Sequence, residues 1–153
     1  MTDTNRALPV LDLLGRERHG VLSTLSKKMN GWPFGSVTPY ALTASNEPIF
    51  LMSGLAEHTQ NVLADARVSL FVQDSGALAN PQAGARVTLA GTAERVLDEE
   101  AEDAQRRFLE RFPESASLFE LGDFHLFRLR VERVRYIGGF GNMYWLDGDA
   151  LSA

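Results

Sequence analysis

Between Phe124 and Ile137 the side chains alternate, with Phe127, Leu129 and Val131 on one side and Arg128, Arg130 and Glu132 on the other. The apolar set then jumps to Val134 and Tyr136. Because side chains repeat every two residues along a strand, a change of phase by one residue predicts an extra residue, a β-bulge near Glu132-Arg133. A strand this long does not stay flat, and a bulge adds twist where it falls. With roughly six or seven strands readable along the chain, the sheet is mostly antiparallel, and closing it into a small barrel removes its edges. The reading is a single domain, mainly β with flanking helices.

The other elements follow in order. Leu8, Leu11 and Leu14 recur at helical spacing, so Leu8 to Arg18 reads as a short amphipathic helix with Pro9 in its first turn, ended by His19-Gly20. Val21 to Leu25 is a brief strand, and Met29 to Gly35 is turn-rich. Ser36 to Ala44 reads as a strand, but Pro39 cannot donate to a ladder, which places it at an edge, a bulge, or against something other than a strand. Ile49 to Met52, Arg67 to Gln73 and Ala85 to Val96 are strands, the last with Gly91 in its middle. Glu57 to Asp65 is a short helix. Leu97 to Phe112 is a longer one, with Asp98 as cap and Ala101, Ala104, Phe108, Leu109 and Phe112 in a stripe. A second helical turn is expected from Glu114 to Leu121, and a short final strand from Met143 to Leu146.

Several functions are set aside by what the chain lacks. A net charge of −5 without a long basic run offers no surface for nucleic acid. The absence of cysteine removes thiolate nucleophiles, iron–sulfur clusters and thiolate zinc sites. No phosphate loop ending in Lys-Ser/Thr, no His-Glu-x-x-His and no nucleophile elbow occurs. His19, His58 and His125 lie far apart, so no metal site is expected. The N-terminal residues fit neither a signal peptide nor a membrane span, and the cytoplasm is the default expectation.

The chemistry concentrates between Pro33 and Phe71, where strand, turn, strand, short helix and strand follow one another. Ser53 ends a strand, and His58 and Thr59 open a helix, whose first-turn N–H groups suit a phosphate. Helix capping by Ser53 or Thr59 with a solvated His58 explains the same residues equally well, and Glu57 opposes an anion unless it points away. Arg86 opens a long strand and could donate to a carbonyl-rich ring or a phosphate, although an exposed strand arginine is the commoner fate. His125, on the side of Phe127 and Leu129, reads first as a hydrogen-bonded structural histidine, and His19 as a cation at a helix C-terminus. Trp32, Tyr144 and Trp145 could stack on a flavin or fill an interface, with core packing the usual role. Gly139-Phe140-Gly141 is a turn, since no helix follows it. No side chain stands out as a catalytic acid or base.

The words Pro33-Phe34-Gly35-Ser36-Val37-Thr38-Pro39-Tyr40-Ala41, Leu55-Ala56-Glu57-His58-Thr59-Gln60-Asn61, Asp65-Ala66-Arg67-Val68-Ser69-Leu70, Arg86-Val87-Thr88-Leu89-Ala90-Gly91, Gly122-Asp123-Phe124 and Tyr136-Ile137-Gly138-Gly139-Phe140-Gly141 resemble the pyridoxamine 5′-phosphate oxidase-related, FMN-binding split-barrel proteins, and within them the haem-utilisation branch. The resemblance implies a six-stranded antiparallel split β-barrel over residues 1–153, with an N-terminal helix over 1–18 and a C-terminal tail over 142–153. It implies a homodimer that binds FMN at its interface and acts as an oxidoreductase on a small-molecule substrate. The family pattern places Ser36, Val37, Thr38, Pro39 and Tyr40 along the flavin ring, Ser53, His58, Thr59 and Asn61 at its phosphate, and Arg86 against the ring. Gln60 stands where the family word has an arginine, and the basic run and substrate-binding tail of the vitamin B6 oxidases are absent. The alternative is a haem-binding or haem-degrading protein that uses the same cleft, with His125 or another histidine on the iron.

Overall fold

The computed structural model describes residues 2–152. Helix α1 (Asp3–Arg16) begins earlier than its leucine spacing suggests, because Thr2 caps it by accepting a hydrogen bond from the Asn5 amide. Pro9 therefore sits in the helix interior, not the first turn. The helix ends at Arg16 with Glu17 as its cap, so His19 does not close it but begins the first strand.

Among the described residues eight strands form one antiparallel sheet: β1 (His19–Leu25), β2 (Pro33–Pro39), β3 (Ala41–Leu42), β4 (Pro48–Ser53), β5 (Arg67–Gln73), β6 (Arg86–Arg95), β7 (Phe124–Ile137) and β8 (Met143–Asp147). Their order is β2-β1-β5-β6-β7-β4-β3, with β8 beside the second half of β7. The two ends of that order, β2 and β3, are consecutive in the chain, separated by Tyr40 alone. One segment thus pairs with β1 through Pro33–Pro39 and with β4 through Ala41–Leu42, and the sheet has to curl into a barrel for it to do both. The count of eight strands exceeds the expected six because this segment breaks in two and β8 is added.

Closure is incomplete. Pro33–Pro39 pairs only with β1, and Phe50–Ser53 pairs only with β7. Between those two free edges the barrel wall is split. The edge position of Pro39 follows from its missing donor, as expected. Helix α2 (Glu57–Ala64) stands at the end of the split, tied down by Asn61, which accepts from the Lys27 amide (2.9 Å) and donates to the Thr24 hydroxyl (3.0 Å).

The phase change in β7 is a bulge. Gly91 pairs with Val131 and Ala90 with Arg133, leaving Glu132 as the additional residue. A Cβ on Gly91 would collide with the Arg130 carbonyl oxygen, so the strand-interior glycine marks a close approach of two backbones. Leu22, Phe50, Leu70, Leu89, Phe127, Leu129 and Val134 fill the barrel, and Ala7, Val10, Leu13 and Leu14 of α1 join the same core.

A second, smaller core lies outside the barrel. Helix α3 (Asp98–Arg111) sets Ala104 and Phe108, with Phe112 at its end, against Ala41 and Ile49. Its cap position is Leu97, whose side chain makes no capping bond; Asp98 is the first helical residue and acts through the helix dipole. A 3₁₀ turn and the short α4 (Ala116–Phe119) follow. The 142–153 segment carries β8 and a closing 3₁₀ turn, and no described helix is long and apolar enough to cross a membrane.

Candidate functional site

The split in the barrel wall is where sequence and fold meet. Val37 of β2 is 76% exposed, while Ser36 and Pro39 are half-buried. Thr38 is buried, with its hydroxyl on the Pro39 carbonyl. Tyr40 is fully buried. Its hydroxyl donates to the Leu14 carbonyl (2.7 Å), its amide to Arg18, and its own carbonyl accepts from Arg111. Burial raises the Tyr40 pKa to about 12. Every polar group of this residue is engaged within the chain, so its part is to hold the corner between β2 and β3.

At the other end of the split stands the amino end of α2. Its cap residue, Ala56, has no side chain that can satisfy the first-turn amides. The Thr59 hydroxyl is buried and has no hydrogen-bond partner. A buried unpartnered hydroxyl costs about 1–3 kcal/mol, so an acceptor at this helix end would relieve a standing penalty. His58 beside it is half-buried, and desolvation lowers its pKa. Glu57 is drawn toward Lys28 (3.6 Å). An anion such as a phosphate fits this end of the helix.

Two other predicted residues are otherwise employed. The Ser53 hydroxyl donates to Asp123 (3.1 Å) and accepts from the Leu55 amide (3.1 Å), which closes the turn before α2. Asn61 is the structural tie already described. Gln60, in place of the family arginine, donates to the Gly54 carbonyl at 2.6 Å and clamps that same turn.

Arg86 lies elsewhere in the barrel. It pairs with Gln73, at the far end of β5 from α2, roughly 20 Å along the strand. Its guanidinium donates to the carbonyls of Gln82 (2.7 Å) and Gly84 (3.2 Å). Within one chain it does not converge with His58 and Thr59.

Besides Pro39 and His19, residues to which sequence reasoning gave no ligand role line a cavity of about 330 Å³ at the Pro39 end of the split. Phe108, Phe112, Leu51 and Leu118 make its apolar surface, and Arg18, His19, Glu114 and Ser115 are its polar members. The Arg18 guanidinium lies over the Phe112 ring at 4.8 Å and donates to the Arg111 carbonyl (2.9 Å). His19 meets the same ring edge-on. No local signal marks them as a group, because β1, β2, β4, α3 and the 3₁₀ turn and α4 after it bring them together from distant stretches of chain.

His125 is bonded through Nδ1 to the Arg95 guanidinium (2.9 Å). Arginine has no acceptor, so Nδ1 accepts and the ring proton sits on Nε2. Iron ligation through Nε2 would require that arrangement to break. Among the described residues no cluster of three His, Asp or Glu side chains could hold a metal ion.

The outward face of the sheet is the last feature. Val37, Val21, Phe71, Thr88, Arg135 and Trp145 are successive cross-strand neighbours over six strands. Val37, Val21 and Trp145 are exposed, and the next row, Gly35, Ser23, Ser69 and Ala90, consists of small residues.

Comparison with known proteins gives a consistent picture. Residues 4–152 match the family model described as CREG, beta-barrel. A chloroplastic haem oxygenase of Arabidopsis thaliana is 32% identical over 130 residues, which are 85% of this chain and 39% of that protein. The chain therefore spans about two fifths of that relative. The structure of a haem-binding protein from Mycobacterium smegmatis superposes with a TM-score of 0.88 at 32% identity, over 99% of this chain and 60% of that one. A Clostridium acetobutylicum protein of the pyridoxinephosphate oxidase family shares the fold, with a TM-score of 0.70 at 14% identity over 98% of this chain and 99% of that one.

Proposed function

The chain belongs to the CREG β-barrel family, and from that premise we propose that it pairs with a second copy and binds FMN along the split in its barrel, as an oxidoreductase acting on a small molecule. The observation that carries the reading is the uncapped amino end of α2, in whose first turn the Thr59 hydroxyl is buried without a partner. A phosphate there would accept from Thr59, from the first-turn amides and from His58. The free edge of β2 would offer its backbone groups to the ring, as Ser36, Val37 and Pro39 pass along it. When bound, FMN supplies the electron-transfer chemistry, and the chain holds and shields it. The outward row from Val37 to Trp145, exposed at Val37, Val21 and Trp145 and with small residues beside it, supports a two-fold contact between identical faces.

The second reading is haem in the same split. It is favoured by the haem-binding and haem-oxygenase relatives at 32% identity. Since His125 is engaged by Arg95, His19 at the cavity and His58 at α2 are the histidines this reading would use.

The two are separated by phosphate dependence. His58→Ala combined with Thr59→Ala is expected to weaken FMN about tenfold or more and leave riboflavin, which lacks the phosphate, near its original affinity. Equal weakening of both flavins would remove the phosphate from α2.

A further inference from the structure

The cavity beside Pro39 carries a selectivity of its own. Its apolar lining, Phe108, Phe112, Leu51 and Leu118, is joined by Arg18, His19 and Glu114 as its charged and ionisable members. Arg18 is fixed by its stacking on Phe112 and by one bond to the Arg111 carbonyl, which leaves its remaining N–H donors unused. Among the described residues no carboxylate lies within ion-pair distance of Arg18, Glu114 included. A guanidinium pre-oriented by an aromatic ring, without an internal counter-ion, is complementary to a planar carboxylate whose apolar body lies against the partly buried Leu51 and Leu118. At about 330 Å³ the space is at the small end of ligand cavities and suits one ring on a short chain.

We infer that this cavity binds a small aromatic monocarboxylate, with the acid group on Arg18 and His19 and the ring against Leu51 and Leu118. Glu114 sets the charge limit: it faces the same space and repels a second carboxylate. Calling this ligand the substrate rests on the flavin reading, because the cavity opens at the end of the split where the flavin would lie. The binding itself does not.

The experiment is calorimetric titration of the full chain, without and with added FMN, using 3-phenylpropionate, its neutral amide and phenylsuccinate as probes. The acid is expected to bind at least about tenfold more tightly than the amide, and Arg18→Gln to abolish that preference while the amide is unchanged. Glu114→Gln is expected to admit phenylsuccinate. Leu118→Trp, which fills the cavity, is expected to exclude acid and amide alike. Acid and amide binding equally to the wild-type chain, or an acid preference that survives Arg18→Gln, would overturn the inference. Acid binding by a chain that fails to retain FMN would leave this site standing and remove the flavin reading; retained flavin with no acid preference would do the reverse.

Discussion

Thr59→Val is expected to make the ligand-free protein more stable and its cofactor binding worse. The Thr59 residue is 2% exposed, and its hydroxyl has no partner. Valine keeps the shape, has a similar helix propensity and removes the unpaired group. The unsatisfied hydroxyl costs about 1–3 kcal/mol, and taking about 1–2 kcal/mol as recoverable, a domain of this size gains about 3–6 °C in melting temperature. The assay is a thermal melt by circular dichroism with flavin stripped, repeated in saturating FMN. In FMN the variant is expected to lose part of the ligand-dependent rise, because binding stabilises in proportion to the logarithm of the ratio of free ligand to Kd, and a weaker Kd lowers that ratio. A stripped variant that melts at or below the wild-type temperature would refute the reasoning, since it would mean that the hydroxyl is engaged in the folded chain.

Gly91→Ala forces a Cβ onto the Arg130 carbonyl at the β7 bulge and is expected to cost about 3 kcal/mol; an unchanged urea midpoint would contradict the tight approach. Asp65, held at about 2 by its hydrogen bonds with Arg67, contributes stability that is whole above the ordinary carboxylate value of about 3.9 and is lost as pH falls through about 2. Asp65→Asn is therefore expected to flatten that acid limb in denaturant titrations at pH 2, 3 and 5, and an identical limb would rule the pair out as a contributor. Val37→Arg, on a residue 76% exposed, is expected to turn a sedimenting dimer into a monomer of unchanged melting temperature. A variant that stays dimeric would move the interface off this face.

The β7 bulge was legible because phase is written into the alternation of Phe127, Leu129 and Val131 against Val134 and Tyr136. The edge position of β2 was legible because Pro39 lacks a donor. What local pattern could not supply was register and convergence. Tyr40 looks like a strand residue facing a ligand, yet Leu14, Arg18 and Arg111 from two other elements consume its polar groups. Asn61, which the family pattern sets at the phosphate, spends its amide on the tie to Thr24 of β1 and to Lys27. Arg18 and His19 read as the end of a helix, although the chain has already left α1, and only the packing of α3 against β3 and β4 brings Phe112 beside them. The start of α1 was misplaced for a smaller reason: the Thr2 cap outweighs the spacing of the leucines and carries Pro9 into the helix interior.

The account turns on whether an anion-bearing flat cofactor occupies the split, and the most direct measurement is the visible absorption spectrum of the freshly purified protein. It is recorded before and after mixing with FMN, and separately with haem, each followed by desalting. The account predicts a paired flavin band that survives desalting, present in the wild type and lost from the His58→Ala, Thr59→Ala double variant. A sharp haem band with no retained flavin, or a protein that remains colourless after both mixtures, would contradict it.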